Sequence, residues 1–172
     1  MPLPYRYWCT AIPLMAISIM VSNAGATPAL RATHIVVDKS DHLMHVFAKD
    51  RKIATYRVGF GANPVGHKQQ EGDKRTPEGR YTLDYKNARS TFFKSMHISY
   101  PNAADKANAK RLGVSAGGDI MIHGQANDPV ARAAIDRYPL PDWTYGCISM
   151  KNEELQKLWD VVSIPTPIQI LP

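Results

Sequence analysis

Apolar and polar side chains interleave along three short runs early in the chain, Thr33 to Asp38, His42 to Ala48 and Ile53 to Phe60. Lys39-Ser40-Asp41 and Lys49-Asp50-Arg51 separate them, and polar turns between β-rich runs predict an antiparallel meander. Gly61 to Thr76 is polar and carries Gly61, Asn63-Pro64, Gly66 and Gly72, which predicts a long surface loop before a strand over Arg80 to Tyr85. A short strand over Met96 to Tyr100 stops at Pro101-Asn102, and the alanines and charges of Ala103 to Leu112 favour a helix. Gly117-Gly118 introduces the apolar run Ile120-Met121-Ile122, which ends at His123-Gly124 and so sets His123 at the edge of a buried strand. Asp128-Pro129 reads as the cap and first-turn proline of a helix reaching about Tyr138. Asn152 is the expected cap of a last helix, with Glu153 and Glu154 at its positive end and Leu155, Leu158, Trp159 and Val162 on one apolar face. A strand over Pro167 to Leu171 closes the pattern.

The N-terminal pattern differs. Arg6 precedes an apolar stretch from Trp8 to Val21, and Ala24-Gly25-Ala26 has the small-x-small form of a signal peptidase site. Residues 1–26 are therefore expected to be a signal peptide cleaved after Ala26, leaving 27–172 as a single domain large enough to bury a core. The stretch is interrupted by Pro13 and Ser18 and falls short of the roughly 20 residues that span a bilayer. No membrane span is expected after its removal, and Cys9 precedes most of the run, away from the place of a lipid-bearing cysteine.

Net charge is +6, and the leader contributes one basic residue and no acidic one. A moderate positive balance suits an anionic envelope polymer or membrane surface, and equally suits solubility alone. Basic residues are scattered as Arg51-Lys52, Lys74-Arg75 and Lys110-Arg111 with no aromatic interleaving, which argues against nucleic acid as a partner.

Loss of the leader removes Cys9 and leaves Cys147 as the remaining thiol. A lone cysteine in an exported protein has no intramolecular disulfide partner, so it is either a buried filler or present for its reactivity. To attack, it needs a base or cation nearby, usually histidine. Of six histidines, His123 alone joins the end of an apolar strand to a following glycine, Gly124. Gly146 permits an unusual backbone angle before Cys147, and the amides there can converge on an oxygen that is gaining charge. Spacing leaves open both a catalytic pair and the bland alternative of a filler cysteine with a core histidine. No metal or other cofactor is expected: His42 and His45 have odd spacing on a presumed strand and point to opposite faces, and no Cys/His pair has zinc-ligand spacing.

His123-Gly124, a spacer, then Thr144-Tyr145-Gly146-Cys147-Ile148-Ser149-Met150-Lys151-Asn152 resembles the signature of the YkuD-type L,D-transpeptidase catalytic domain. Gly72-Asp73-Lys74-Arg75-Thr76-Pro77-Glu78-Gly79-Arg80-Tyr81 resembles the threonine-proline-x-glycine segment of that domain, and Met96 to Asn102 resembles a segment of one branch. The resemblance covers residues 33 to 171. It implies a mainly β fold, a curved β-sheet sandwich with a few short helices, acting on peptidoglycan stem peptides in the periplasm. By position it implies Cys147 as nucleophile, His123 as general base and acid, the Gly124 backbone as orienter of His123, and Gly146 with the Cys147 amide at the oxyanion. The implied reaction attacks the carbonyl at the L-centre of diaminopimelate in a tetrapeptide stem, expels D-alanine and leaves a thioester. An amine acceptor then gives transfer, and water gives hydrolysis. Inactivation by carbapenem-type β-lactams through Cys147 is also implied.

Two positions depart from the family pattern: Tyr145 stands where a second histidine is common, and Ser149 where an arginine is common. Diverged members of the family resemble L,D-carboxypeptidases, or amidases that release a wall-linked lipoprotein, so hydrolysis is the alternative to transfer and such a lipoprotein an alternative partner. A silent wall-binding module is the third reading, which the retention of both Cys147 and His123 argues against. Asp142 and Trp143 are expected in the loop leading to the nucleophile, with Trp143 a candidate cleft wall or a packing tryptophan. Arg75 is a candidate contact for the acidic stem, or an exposed loop charge, and the Gly61 to Thr76 loop a candidate cover for the cleft.

Overall fold

In the computed structural model the described residues are Met1, 30–137 and 142–172. The expected signal peptide and its cleavage point therefore lie outside them, Met1 apart, as does Tyr138, the expected end of the second helix.

The seven predicted runs form strands, and Ile148–Ser149 adds an eighth that the alternation does not predict. They are β1 (His34–Asp38), β2 (Leu43–Ala48), β3 (Arg51–Arg57), β4 (Gly79–Asn87), β5 (Ser95–Ile98), β6 (Met121–His123), β7 (Ile148–Ser149) and β8 (Thr166–Leu171). They form one sheet in the order β3-β2-β1-β8-β4-β5-β6-β7. The β1-β8 and β6-β7 pairs are parallel and the others antiparallel. In β1, Ile35 and Val37 are fully buried while their neighbours are not, the period-two burial of a half-covered strand. The sheet curls until its edges meet: Gly59, just beyond β3, exchanges both backbone hydrogen bonds with Ser149 of β7, each 2.9 Å. This bridge joins the two ends of the sheet, and the segment after β3 is brought against the residues around Cys147.

Three helices accompany the sheet: α1 (Ala103–Leu112), α2 (Pro129–Ile135) and α3 (Asn152–Val161). Asn102 and Asp105 form a reciprocal capping box at the start of α1, and Gly113 ends it in the left-handed conformation. Asp128 caps α2 as expected. The expected cap of α3 is corrected: Lys151 holds the cap position without a side-chain bond, and Asn152 is the first helical residue. Its Oδ1 instead accepts the Gln125 N–H at 2.7 Å. Leu155 and Leu158 of α3 enter the core against Met96, Ile98, Ile122, Ile148, Ile168 and Ile170, each buried side chain contributing about 1.5–3 kcal/mol.

The long loop expected over Gly61 to Thr76 is present and largely at the surface, with Val65 78% exposed, but a few buried residues pin it. Thr76 is fully buried and Lys68 is only 3% exposed. A buried ammonium needs partners, and Lys68 Nζ donates to Asp73 Oδ1 at 2.9 Å and to the Gln70 carbonyl at 3.1 Å. Asp73 also accepts the N–H groups of Gln69, Gln70 and Arg75. One carboxylate thus shapes the loop, which is why a polar stretch can pack as an ordered wall.

Candidate active site

The β6-β7 register places the chemistry. Ile122 lies opposite Ile148 and His123 opposite Ser149. Both isoleucines are fully buried, so alternation turns Met121, His123, Cys147 and Ser149 to the other face of the sheet. Cys147 and His123 thus stand on one face, two positions apart along adjacent strands, and both line a cleft of about 380 Å³. Ser95, Asn87, Asp119 and the segment from Arg89 to Phe92 also line it.

His123 is 5% exposed. Its Nδ1 lies 2.7 Å from the Gly124 carbonyl, which can only accept; Nδ1 therefore carries the hydrogen and Nε2 keeps its lone pair. Burial pushes the imidazole below its ordinary value, a shift that the Gly124 hydrogen bond partly opposes. Phe92 and Trp143 hold the ring, with centroids 4.7 and 5.6 Å from it. Gly124 has no room for a side chain, since an added Cβ would collide with Asn152 Oδ1. Its carbonyl is thereby held close to the imidazole.

Cys147 receives the Met121 N–H at its sulfur, 3.4 Å, and its thiol points to the Asp119 carbonyl at 3.6 Å. Burial pushes the thiol up; the Met121 N–H and the Lys68 charge lower it, and Asp119 raises it further. Both members of the pair are thus favoured neutral at rest.

Gly146 has φ +129°, and a Cβ there would come within 2.6 Å of the Arg75 carbonyl. Its N–H already donates to Thr144 Oγ1 at 3.0 Å, and that hydroxyl donates to the Cys147 carbonyl at 2.7 Å. Of the two amides expected at an oxyanion, the Gly146 amide is therefore committed, which leaves that of Cys147. Thr144, which sequence reasoning passed over within the motif, ties the turn together. Met121, Phe92 and Asp119 were also missed as neighbours of the sulfur and imidazole, and only the strand register could have found Met121.

The remaining candidates separate. Trp143 packs against His123 and lines a second cavity of about 550 Å³ on its far side, with His42, Arg57 and Glu154, not the cleft that holds Cys147. Asp142 anchors this approach, accepting the Phe60 N–H at 2.7 Å and meeting His42 Nε2 at 2.9 Å. Tyr145 is 72% exposed, with the Lys74 ammonium 5.3 Å from its ring centre. Arg75 meets the nucleophile turn through its carbonyl against Gly146, while its buried Nε has no hydrogen-bond partner. Ser149 is buried and engaged with Gly59. Among the described residues no cluster of His, Cys, Asp or Glu is arranged to hold a metal ion, and no helix is long and apolar enough to cross a membrane.

Comparison with known proteins identifies relatives of this chain. The Escherichia coli (strain K12) protein YafK is 23% identical over 136 residues, covering 76% of this chain and 47% of YafK. The helical cell shape determining protein Pgp2 of Campylobacter jejuni superposes with a TM-score of 0.63 at 27% identity, covering 81% of this chain and 47% of Pgp2. Bd1075 of Bdellovibrio bacteriovorus gives 0.58 at 26%, covering 85% and 50%. The chain spans about half the length of these relatives. The description of the YkuD L,D-transpeptidase catalytic domain matches residues 32–170, and the chain belongs to that family.

Proposed function

We propose that this protein is an exported, periplasmic peptidoglycan-modifying cysteine enzyme that acts as an L,D-transpeptidase. The observation that carries the proposal is the placing of Cys147 and His123 on one face of two parallel strands, lining one cleft. In the proposed reaction Cys147 Sγ bonds to the diaminopimelate carbonyl carbon of a tetrapeptide stem as its proton passes to His123 Nε2. The C–N bond to D-alanine then breaks and that proton leaves on the departing amine. The Cys147 amide is the donor proposed for the oxygen that gains charge. An acceptor amine attacks the thioester, gives a proton to His123 and releases the sulfur, forming a new amide.

Hydrolysis by the same acyl-enzyme is the second reading, and the departures at Tyr145 and Ser149 favour it. Neither supplies a cation beside Cys147 to hold the carboxylate of an acceptor stem, and water needs no such anchor. Release of a wall-linked lipoprotein is one form of this reading. The relation to a cell shape determining protein, Pgp2, supports a part in wall architecture.

Product masses from tetrapeptide muropeptides, with and without an amine acceptor, decide between the two. Acceptor-linked products that vanish in Cys147→Ser are expected. Tripeptide formed at the same rate whatever the acceptor would make the enzyme a hydrolase.

A further inference from the structure

The face that carries Cys147 extends beyond the cleft. In register across the strands, Tyr85 of β4 lies opposite His97 of β5, and His97 opposite Met121 of β6. Met121 meets Cys147 through its N–H at the sulfur. Met96 and Ile98, on either side of His97, are fully buried, so His97 points to the Cys147 face. Tyr85, His97 and Met121 form one row across three strands that ends at Cys147, the residue before β7.

A bulge makes this row. The β4-β5 register shifts between Leu83 and Tyr85, so that Asp84 is the extra residue. Leu83 is fully buried; without the shift, alternation would send Tyr85 inward with it. The bulge turns both Asp84 and Tyr85 to the outer face, as bulges beside functional sites often re-aim a side chain. There Asp84 Oδ1 meets His97 Nδ1 at 2.6 Å, which fixes the imidazole. The Tyr85 and His97 rings stack with centroids 4.6 Å apart and planes 13° apart. Tyr85 nevertheless remains 44% exposed, and Asp84 keeps a second oxygen.

We propose that Asp84, Tyr85 and His97 form a subsite for the sugar to which the stem peptide is attached. The inference rests on the peptidoglycan reading above and deepens it. Adjacent strands are about 4.8 Å apart, which puts Tyr85 about 14 Å from Cys147, three strands away. Three peptide residues remain between the attacked carbonyl and the sugar, and extended they span about 10 Å. The sugar ring then begins where His97 and Tyr85 stand. An aromatic stack with a fixed carboxylate is suited to it, offering ring surface to C–H groups and acceptors to hydroxyls.

Calorimetric binding to the full chain carrying Cys147→Ala, which cannot turn over, tests the subsite. The probes are a disaccharide-bearing tetrapeptide and the same tetrapeptide without sugar. The sugar-bearing form should bind about three- to tenfold tighter. Tyr85→Ala should erase that advantage and leave the bare peptide unchanged, and Tyr85→Phe should retain most of it. Equal affinity for the two ligands, loss on both in Tyr85→Ala, or no binding of either would overturn the subsite. Cys147-dependent turnover of the bare peptide with no gain from sugar would sink the subsite and leave the reaction standing; sugar-dependent binding without Cys147 chemistry would do the reverse.

Discussion

At His123 burial and hydrogen bonding pull in opposite directions, and burial wins, leaving the imidazole below its ordinary value of 6.5. At Cys147 burial also wins and raises the thiol. A base that stays neutral to lower pH keeps its lone pair available through pH 6.5. The acid limb of kcat/KM should therefore lie below that value, and a midpoint at or above 6.5 would contradict the placing of His123. Alkylation of Cys147 by iodoacetamide at pH 7 should be slower than that of a free cysteine and should rise with pH beyond the usual thiol range. Folding is linked to the same group: the unfolded state binds the histidine proton more tightly, so stability is present above pH 6.5 and is lost as pH falls through the lowered value. Trp143 acts on this residue from behind the cleft. Trp143→Ala should lower kcat more than it raises KM, measured on folded protein. A change confined to KM would make Trp143 a wall for substrate.

Among the elements, the turn from Thr144 to Cys147 bears the closest constraints. Gly146→Ala meets both a positive φ and the Arg75 carbonyl, and should cost about 2–3 kcal/mol along with most of the activity, read by denaturant unfolding and turnover. Asn102→Ala removes one half of the α1 capping box; it should cost about 1 kcal/mol and spare catalysis. The strands, α1 and the Cys147 turn are legible in the sequence because alternation, capping residues and glycine are local signals. The bulge at Asp84 is not, since it shifts register inside a continuous β-favouring run. Asn152 misleads for a related reason: a capping-type residue before an apolar helix face gives no sign that the Gln125 N–H, 27 positions earlier, has claimed its oxygen. The polarity of Gly61 to Thr76 likewise conceals the burial of Lys68, because the compensating Asp73 contact is visible only after folding.

For the whole molecule, curling of the sheet is what assembles the site. Gly59 joins Ser149, and the Phe60 carbonyl accepts the Thr144 N–H at 3.1 Å, so residues far apart in sequence frame the nucleophile turn. A sequence motif can name Cys147 and His123, but their shared face follows from the parallel β6-β7 pairing. Acyl chemistry at that sulfur is tested most directly by release of D-alanine from a tetrapeptide stem by the wild-type protein and by Cys147→Ser of equal folded content. Release by the wild type and loss of at least about a thousandfold in the variant are expected, as befits removal of a nucleophile; equal release by both, or none by either, would contradict a nucleophilic Cys147.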